Sequence, residues 1–405
     1  MKSYFNALEA SLYTLDPDVR YLERNGTRIA VNPNTGGWAK VSSAEMARLH
    51  RPESIDEEMG QEAYEAGLVR RNNDCIHCVA ADKKRVEDLP TRAVKGEIDH
   101  YSRVADLEHS ELVLTGGEPT IRTDLPQIVS YARSTGFRAL LIQTNGRAID
   151  GSFAVVLAES GLTRALVAVH GPEKRIHESI TRAPGSFAET MSGIAHLLSA
   201  GITVRTQTVI SRLNLRSLPR LVDLLARTFP QLQAIQVVFP HPIGNAGAHF
   251  DRVVPRLSEI AEHVAPGPQI AAQAGIEFSI SDVPFCLLPD GIMEFNADLW
   301  KLDAMGTDPS LSGDGRVESY SRLMAGRERV KGEACRWCSL ERACRGIWVQ
   351  YADKYTTAEL EPVTGITPAD LASRRDALTA FLRMVRMRGS GHCDRHTRAP
   401  CQQGG

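Results

Sequence analysis

Cysteine is the residue type whose spacing points most directly to chemistry in this chain. Eight cysteines in 405 residues are too few for a disulfide scaffold. Cys75 and Cys78 form a CxxC pair, and a CxxCx5C group lies near the C-terminus. That group and the remaining cysteines are Cys335, Cys338 and Cys344, then Cys286, Cys393 and Cys401. In a reducing compartment, clustered cysteines indicate metal binding or catalysis.

The segment between the two cysteine groups alternates between strand and helix patterns. Helices are predicted at 125–134, 187–198, 216–228 and 253–264. Strands are predicted at 67–70, 112–115, 139–143, 165–169, 203–210, 235–239 and 276–280. This alternation predicts an α/β fold with a parallel sheet, as about six βα units in a partial (β/α)6 TIM-like barrel. Active residues would then lie at the carboxyl ends of the strands.

Four further units flank this barrel, which we assign to residues 65–282. Residues 1–64 form a small N-terminal unit, with a hairpin turn at Asn25-Gly26 and a capping box opening at Ser42. Residues 283–362 are a loop-rich, cysteine-rich extension, and 363–388 are a helix that begins in a capping box at Thr367. Residues 389–405 are rich in glycine, and we expect disorder there, with metal binding by the tail as the alternative.

Conspicuous loops follow successive predicted strands. The first is Arg71-Asn72-Asn73-Asp74-Cys75-Ile76-His77-Cys78, and the second is Gly116-Gly117-Glu118-Pro119. Later strands lead into Thr144-Asn145-Gly146, into His170-Gly171, and into Phe239-Pro240 with Gly244 and Gly247 behind. In this order and placement, the loops resemble those of the radical S-adenosylmethionine (SAM) superfamily over residues 67–282.

The resemblance implies a cofactor set and a chemistry. Family members hold three irons of a [4Fe–4S] cluster with CxxxCxxC, and the fourth iron binds SAM. One electron then cleaves SAM, and the 5′-deoxyadenosyl radical takes a hydrogen from the substrate. By resemblance, Cys75 and Cys78 would bind the cluster. The loop Gly116, Gly117, Glu118 and Pro119 would meet the methionine amino group, and Asn145 and His170 would line the ribose and substrate side.

Position 71 departs from the family pattern. CxxxCxxC needs its first cysteine there, and this chain has Arg71, which has no lone pair to offer a metal. Three explanations stay open: a substitute ligand such as Asp74, His77 or a tail cysteine, a degenerate member that does not cleave SAM, or an altered position in this sequence. The ligation of the SAM cluster by the CxxxCxxC motif itself is therefore incomplete.

The later cysteines indicate a second metal site. Cys286, Cys335, Cys338 and Cys344 resemble the cysteine-rich SPASM and twitch extensions of radical SAM peptide maturases, which bind an auxiliary [4Fe–4S] cluster. Four cysteines also make structural zinc sites, so zinc is the alternative.

These observations predict a radical SAM enzyme that modifies a ribosomally made precursor peptide and needs an external electron donor. No residue is identified as its proton donor or acceptor. The alternatives are a non-catalytic homologue that binds a peptide or protein, and a radical SAM enzyme for a small metabolite or RNA. The net charge of −2 argues against a broadly basic nucleic-acid-binding face. No apolar run reaches the ~18 residues of a membrane span, and no apolar signal core follows Met1, so we expect a cytoplasmic protein.

Overall fold

Five short strands precede the main sheet. The computed structural model describes residues 13–15, 20–24, 27–31, 38–41, 69–71, 73–79, 89–301, 309–311, 317–319 and 329–389. The first strands are β1 (Tyr13–Leu15), β2 (Arg20–Arg24), β3 (Thr27–Val31), β4 (Trp38–Val41) and β5 (Val69–Arg71). β2, β3 and β4 form an antiparallel sheet in which Arg24 pairs with Thr27, so the predicted hairpin is confirmed. The helix predicted after Ser42 lies outside the described residues.

β5 does not pair as the sequence pattern predicted. The pattern makes it the first strand of the parallel sheet, yet it pairs antiparallel with β1, with Tyr13 opposite Arg71. The residues of β5 alone indicate a strand. Its partner could not be predicted from them, because that partner lies more than 50 residues away in a separate unit.

Six parallel strands form the main sheet, and they follow one another in space in chain order. They are β6 (Glu111–Leu114), β7 (Ala139–Thr144), β8 (Arg164–Ala168), β9 (Thr203–Val209), β10 (Ala234–Val238) and β11 (Glu277–Ser281). Leu140, Leu141 and Ile142 are consecutive and all buried, as expected of a parallel strand covered on both faces. The predicted α/β class is confirmed.

Helices precede and connect these strands. They are α1 (Thr91–Val104), α2 (Leu125–Ser134), α3 (Gly151–Glu159), α4 (Lys174–Thr181), α5 (Ser186–Ser199), α6 (Leu218–Thr228), α7 (Gly244–Ala248), α8 (Phe250–Val253), α9 (Ala261–Val264) and α10 (Gly267–Gln273). Those predicted over 125–134, 187–198 and 216–228 are confirmed, and those over 91–104 and 174–181 were not predicted. The single helix predicted over 253–264 is wrong, because Val254 is extended with ψ 112°. Pro255 follows it, and a residue before proline disfavours the helical region.

The cysteine-rich extension contains little regular structure among its described residues. Its elements are α11 (Asp298–Lys301), β12 (Pro309–Leu311), β13 (Val317–Ser319), β14 (Arg329–Val330), β15 (Ile347–Trp348) and α12 (Val349–Tyr355). The last helix, α13 (Pro368–Gly389), begins in the predicted capping box, since Thr367 Oγ1 accepts from the Asp370 N–H at 3.2 Å and Asp370 accepts from the Thr367 N–H at 2.8 Å. Residues 390–405 lie outside the described residues. Among the helices described, none is both long and apolar enough to cross a membrane.

Candidate functional site

The loop that carries Cys75 and Cys78 is fixed by the end of α4. The backbone N–H groups of Asp74 and Ile76 donate to the carbonyls of Thr181 and Ile180, at 3.0 and 2.9 Å. Arg182, whose φ of 52° ends α4, donates to the Asp74 carbonyl at 2.5 Å and pairs with its carboxylate at 2.8 Å. The loop is therefore held at two backbone positions and by the Asp74 carboxylate.

Asn245, at the start of α7, holds the same loop from the other side. Its side-chain Nδ2 donates to the Cys75 carbonyl at 2.9 Å, and its backbone N–H donates to the Cys78 carbonyl at 3.0 Å. Gly244 approaches so closely that an added Cβ would lie 2.5 Å from the Cys78 oxygen. Sequence reasoning missed Asn245, although its place between two glycines after β10 was a usable signal.

Glu118 is buried and organises the loops after β6 and β7. Its Oε1 accepts from the Thr120 backbone at 3.1 Å and from the Thr120 and Thr144 hydroxyls at 2.5 Å each. Its Oε2 accepts from the Asn145 N–H at 2.7 Å. Burial raises the pKa of Glu118, and these hydrogen bonds oppose the rise. The carboxylate thus connects two loops, with acceptor capacity left on Oε2 for a cation such as an ammonium.

Gly116 and Gly117 leave open space beside Glu118. Gly116 has φ 141°, and a Cβ added to either glycine would meet no heavy atom of the described residues within 4 Å. Pro119 is buried and opens a short 3-10 turn behind them. The backbone of both glycines is therefore open to close approach by another molecule.

Asn145 is part of a rigid turn after β7. Its carbonyl accepts from the Thr190 hydroxyl at 2.8 Å, and its side chain accepts from the Arg147 N–H at 3.0 Å. α5 lies directly against this turn, because an added Cβ on Gly193 would be 2.0 Å from the Gly146 oxygen. Arg147 Nη1 in turn donates to Asn73 Oδ1 at 3.1 Å, which ties this turn to the cysteine loop.

Three buried histidines lie behind Cys75. His170 follows β8, and its ring packs edge-on against His77 with centroids 4.5 Å apart. His177 lies 5.9 Å from His170 by ring centroids. Burial lowers the pKa of His77 and of His177 to about 4, and that of His170 well below its usual range, so all three rings are neutral at neutral pH. A neutral imidazole has a nitrogen lone pair that can bind a metal ion, and a protonated imidazole has none.

The cysteine loop lacks the three thiolates of the family cluster. Burial raises the pKa of Cys75 to about 12, with the neighbouring Cys78 a further cause, so a metal would be needed to keep Cys75 as a thiolate. Arg71, the last residue of β5, cannot ligate. The residues present therefore fit an iron–sulfur cluster only if another side chain supplies the third ligand.

The four cysteines of the extension converge on one cavity. It is lined by Cys286, Cys335, Cys338 and Cys344, together with Phe285 and Leu360. Burial, together with a smaller effect of the three neighbouring cysteines, raises the pKa of Cys286 to about 11. Four cysteines on one cavity are a donor set for either a structural zinc ion or an iron–sulfur cluster.

A buried ion-pair cluster joins this extension to the sheet. Asp282, directly after β11, has a left-handed φ of 64° and pairs with Arg329 of β14 and with Arg345. Arg329 is 2% exposed and stacks on Trp348 of β15, 3.7 Å from the ring centroid. His241, which follows β10, contacts Asp282 at 3.3 Å and the same tryptophan ring. The extension is thus anchored at the carboxyl edge of the sheet.

Curated relatives match this chain over different lengths. An AdoMet-dependent heme synthase from Methanosarcina barkeri is 27% identical over 72% of this chain and 92% of its own. The mycofactocin maturase MftC of Mycolicibacterium smegmatis is 29% identical over 68% and 74%. A heme synthase from Oleidesulfovibrio alaskensis is 33% identical, but the match spans only 36% of this chain and 37% of that protein.

A solved structure supports the same fold. SuiB of Streptococcus suis, bound to its precursor peptide SuiA, superposes with a TM-score of 0.52 over 87% of this chain and 99% of its own, at 12% identity. Residues 72–225 match the Radical SAM superfamily. These residues include the cysteine loop, the Gly116–Glu118 loop and the β7 and β8 ends. The chain is therefore similar to the radical SAM superfamily over residues 72–225.

Proposed function

We propose that the chain is a radical SAM enzyme that modifies a ribosomally made peptide, with an auxiliary [4Fe–4S] cluster in its extension. The observation that carries this proposal is the convergence of Cys286, Cys335, Cys338 and Cys344 on one cavity at the carboxyl edge of the sheet. The similarity of residues 72–225 to the radical SAM superfamily supports an iron–sulfur cluster there rather than zinc. When bound, the SAM-site cluster and SAM supply a 5′-deoxyadenosyl radical that takes hydrogen from the substrate.

The chain's own residues would bind and orient SAM. The space beside Gly116 and Gly117 would receive its methionine end, with Glu118 Oε2 as the acceptor for the ammonium. Asn145 and His170 follow the adjacent strands and would line the side toward ribose and substrate. Cys75 and Cys78 would be the thiolate ligands at the open end of the site. An external donor would supply the electron.

A peptide substrate is supported by the N-terminal strands. β2, β3 and β4 form a small antiparallel sheet whose outer strands, β2 and β4, each pair on one side among the described residues. An extended peptide can add a strand to such an edge. MftC is named a mycofactocin maturase, and SuiB was solved with a precursor peptide.

A tetrapyrrole is the second candidate substrate. The observation that favours it is the length of one alignment, which spans 92% of an AdoMet-dependent heme synthase. A non-catalytic role as a binding protein is the remaining alternative, motivated by Arg71.

Iron and acid-labile sulfide per chain, measured after anaerobic reconstitution, test the cluster assignment. We expect about eight of each for two [4Fe–4S] clusters, falling to about four in a Cys335→Ala/Cys338→Ala variant. A Cys393→Ala/Cys401→Ala variant removes two cysteines of the tail and should keep about eight. Bound zinc with negligible iron in the parent chain would overturn the proposal.

Substrate class is tested by affinity capture from an extract of the source organism, followed by turnover. The captured peptide, incubated with the reconstituted chain, SAM and dithionite, should change mass and yield 5′-deoxyadenosine. Turnover of an iron–coproporphyrin instead would favour the tetrapyrrole. Absence of 5′-deoxyadenosine with either would favour the binding role.

A further inference from the structure

Three potential metal ligands lie together at the cysteine loop. The Cys75 sulfur and one ring nitrogen each of His77 and His170 all lie within 4.8 Å of one another, and Cys78 is not a member of this group. A single zinc ion, with a Zn–S bond of ~2.3 Å and Zn–N bonds of ~2.0–2.1 Å, brings its ligand atoms within such a separation. The spacing therefore fits one ion, whereas the three ligands of a [4Fe–4S] cluster must each reach a different iron.

Both histidines of the group carry a buried ring nitrogen without a partner. The Nδ1 atoms of His77 and His170 are buried and have no hydrogen-bond partner among the described residues. The two rings contact each other edge to face, with centroids 4.5 Å apart. A buried polar atom that makes no hydrogen bond costs free energy. Two such atoms beside a thiol therefore indicate a ligand that the three side chains share.

Separate elements fix the two sides of this group. On the cysteine loop, the Cys78 N–H donates to the Cys75 carbonyl at 3.0 Å, and Ile76 between them is 1% exposed. On the side of the sheet, His170 follows β8, and its carbonyl accepts from Asn214 Nδ2 at 2.9 Å. Because the backbone is held on both sides, binding an ion would order little that is not already ordered.

We propose that, while the chain holds no cluster at the SAM site, Cys75, His77 and His170 bind one zinc ion. A thiolate with two imidazoles is a donor set that suits zinc, and three protein ligands leave the fourth tetrahedral position for water or another molecule. This inference goes beyond the proposed function and does not depend on it. The ion and the cluster both need Cys75, so zinc must leave before the cluster is assembled.

X-ray absorption at the zinc edge tests the ligand set directly. The full chain with Cys335→Ala, Cys338→Ala, Cys393→Ala and Cys401→Ala, called the background chain, lacks most of the competing thiols of the extension and the tail. Stripped of metal and then given zinc, it should bind about one ion, with about one sulfur and two imidazole nitrogens around it. Adding Cys78→Ala should change neither result, because Cys78 is outside the group.

Zinc affinity, measured by competition with a chromophoric chelator, tests the two histidines. In the background chain, His170→Ala and His77→Ala should each weaken binding by more than about 100-fold, since even the loss of a residue that only orients a ligand costs about 10–100-fold. If the buried His170→Ala variant does not fold, His77→Ala still tests the group. The control is His263→Ala in α9, whose ring pairs with the exposed Glu262 at 3.0 Å, and it should keep the affinity of the background chain.

Zinc should also compete with cluster assembly. Anaerobic reconstitution of the background chain should give about four irons per chain, and one equivalent of zinc added beforehand should reduce this to near zero. The same zinc should reduce the iron content of His77→Ala much less. If the background chain takes up no iron even without zinc, the proposed function fails, while the absorption and affinity measurements still decide the ion site.

Three results would overturn the inference. One is a zinc spectrum with two sulfurs that changes in Cys78→Ala, since the CxxC pair would then hold the ion. Another is a zinc affinity that survives both histidine substitutions. The third is a background chain that binds no zinc, in which case the three side chains pack together without a metal.

Discussion

Asn245 is a single side chain on which the position of the cysteine loop depends. Asn245→Ala removes the bond from Nδ2 to the Cys75 carbonyl and keeps the backbone bond to Cys78. We expect the free energy of unfolding to fall by about 1 kcal/mol and the loop to loosen. The measurement is the alkylation rate of Cys75 and Cys78 in the metal-free chain, by peptide mapping.

Asn296→Ala is the matched control, since Asn296 Nδ2 makes the same kind of bond to the Val283 carbonyl, at 2.8 Å, away from this loop. Equal alkylation rates at Cys75 and Cys78 in the two variants would contradict a positioning role for Asn245.

Glu118 combines burial with hydrogen bonds from two loops. Glu118→Gln replaces one acceptor oxygen with an NH2 group that faces the hydroxyl or amide donors of Thr120, Thr144 and Asn145. We expect a loss of about 1.5–3 kcal/mol in unfolding free energy, the range for hydrogen bonds to a charged group. We also expect weaker SAM binding, measured by calorimetry on the reconstituted chain.

The control is Glu108→Gln, on the exposed turn before β6, which should change the free energy of unfolding by no more than about 0.5 kcal/mol. Similar effects of the two substitutions would show that the buried carboxylate is dispensable.

Among the elements, α5 depends on a glycine for its approach to the β7 turn. Gly193→Ala would place a Cβ 2.0 Å from a backbone oxygen, which cannot rotate away. We expect a destabilisation of about 3 kcal/mol, at the upper end of overpacking effects, measured by urea denaturation. Gly96→Ala in α1 is the control, because its Cβ would meet nothing within 4 Å. That substitution should stabilise the chain by about 0.5–1 kcal/mol through helix propensity. A Gly193→Ala variant as stable as the parent would mean that α5 shifts freely.

The helices with strong local signals were predictable, and the pairings between distant segments were not. α2 and α5 match their predicted ranges within one residue at each end, and α13 begins at the predicted capping box. The β1–β5 pairing and the Asn245 contact with Cys75 join residues far apart in the chain, so no local pattern encodes them. The same holds for His170, whose place beside Cys75 follows from how β8 and the cysteine loop meet in space.

At the scale of the whole molecule, the extension can take part in a reaction at the sheet only if its cysteine cavity keeps a fixed position relative to the sheet. The buried cluster around Asp282 provides that connection, since its partners Arg329 and Arg345 belong to the extension while Asp282 and His241 follow strands of the sheet. Removing one member of a buried ion pair leaves the other charge uncompensated, which costs more than losing an exposed pair. The connection should therefore depend more on this one carboxylate than on the surface contacts between the two parts.

Asp282→Asn tests this dependence, because asparagine tolerates the left-handed backbone of this position and removes only the charge. We expect a loss of about 3–5 kcal/mol in unfolding free energy, with faster hydrogen exchange in β14 and β15 and faster loss of iron from the extension. Asp223→Asn breaks the exposed pair with Arg227 and should cost less than about 1 kcal/mol. The idea is wrong if the two variants lose similar stability, or if exchange in β14 and β15 is unchanged. In that case the extension is held by its apolar contacts, and other groups compensate the charge of Arg329.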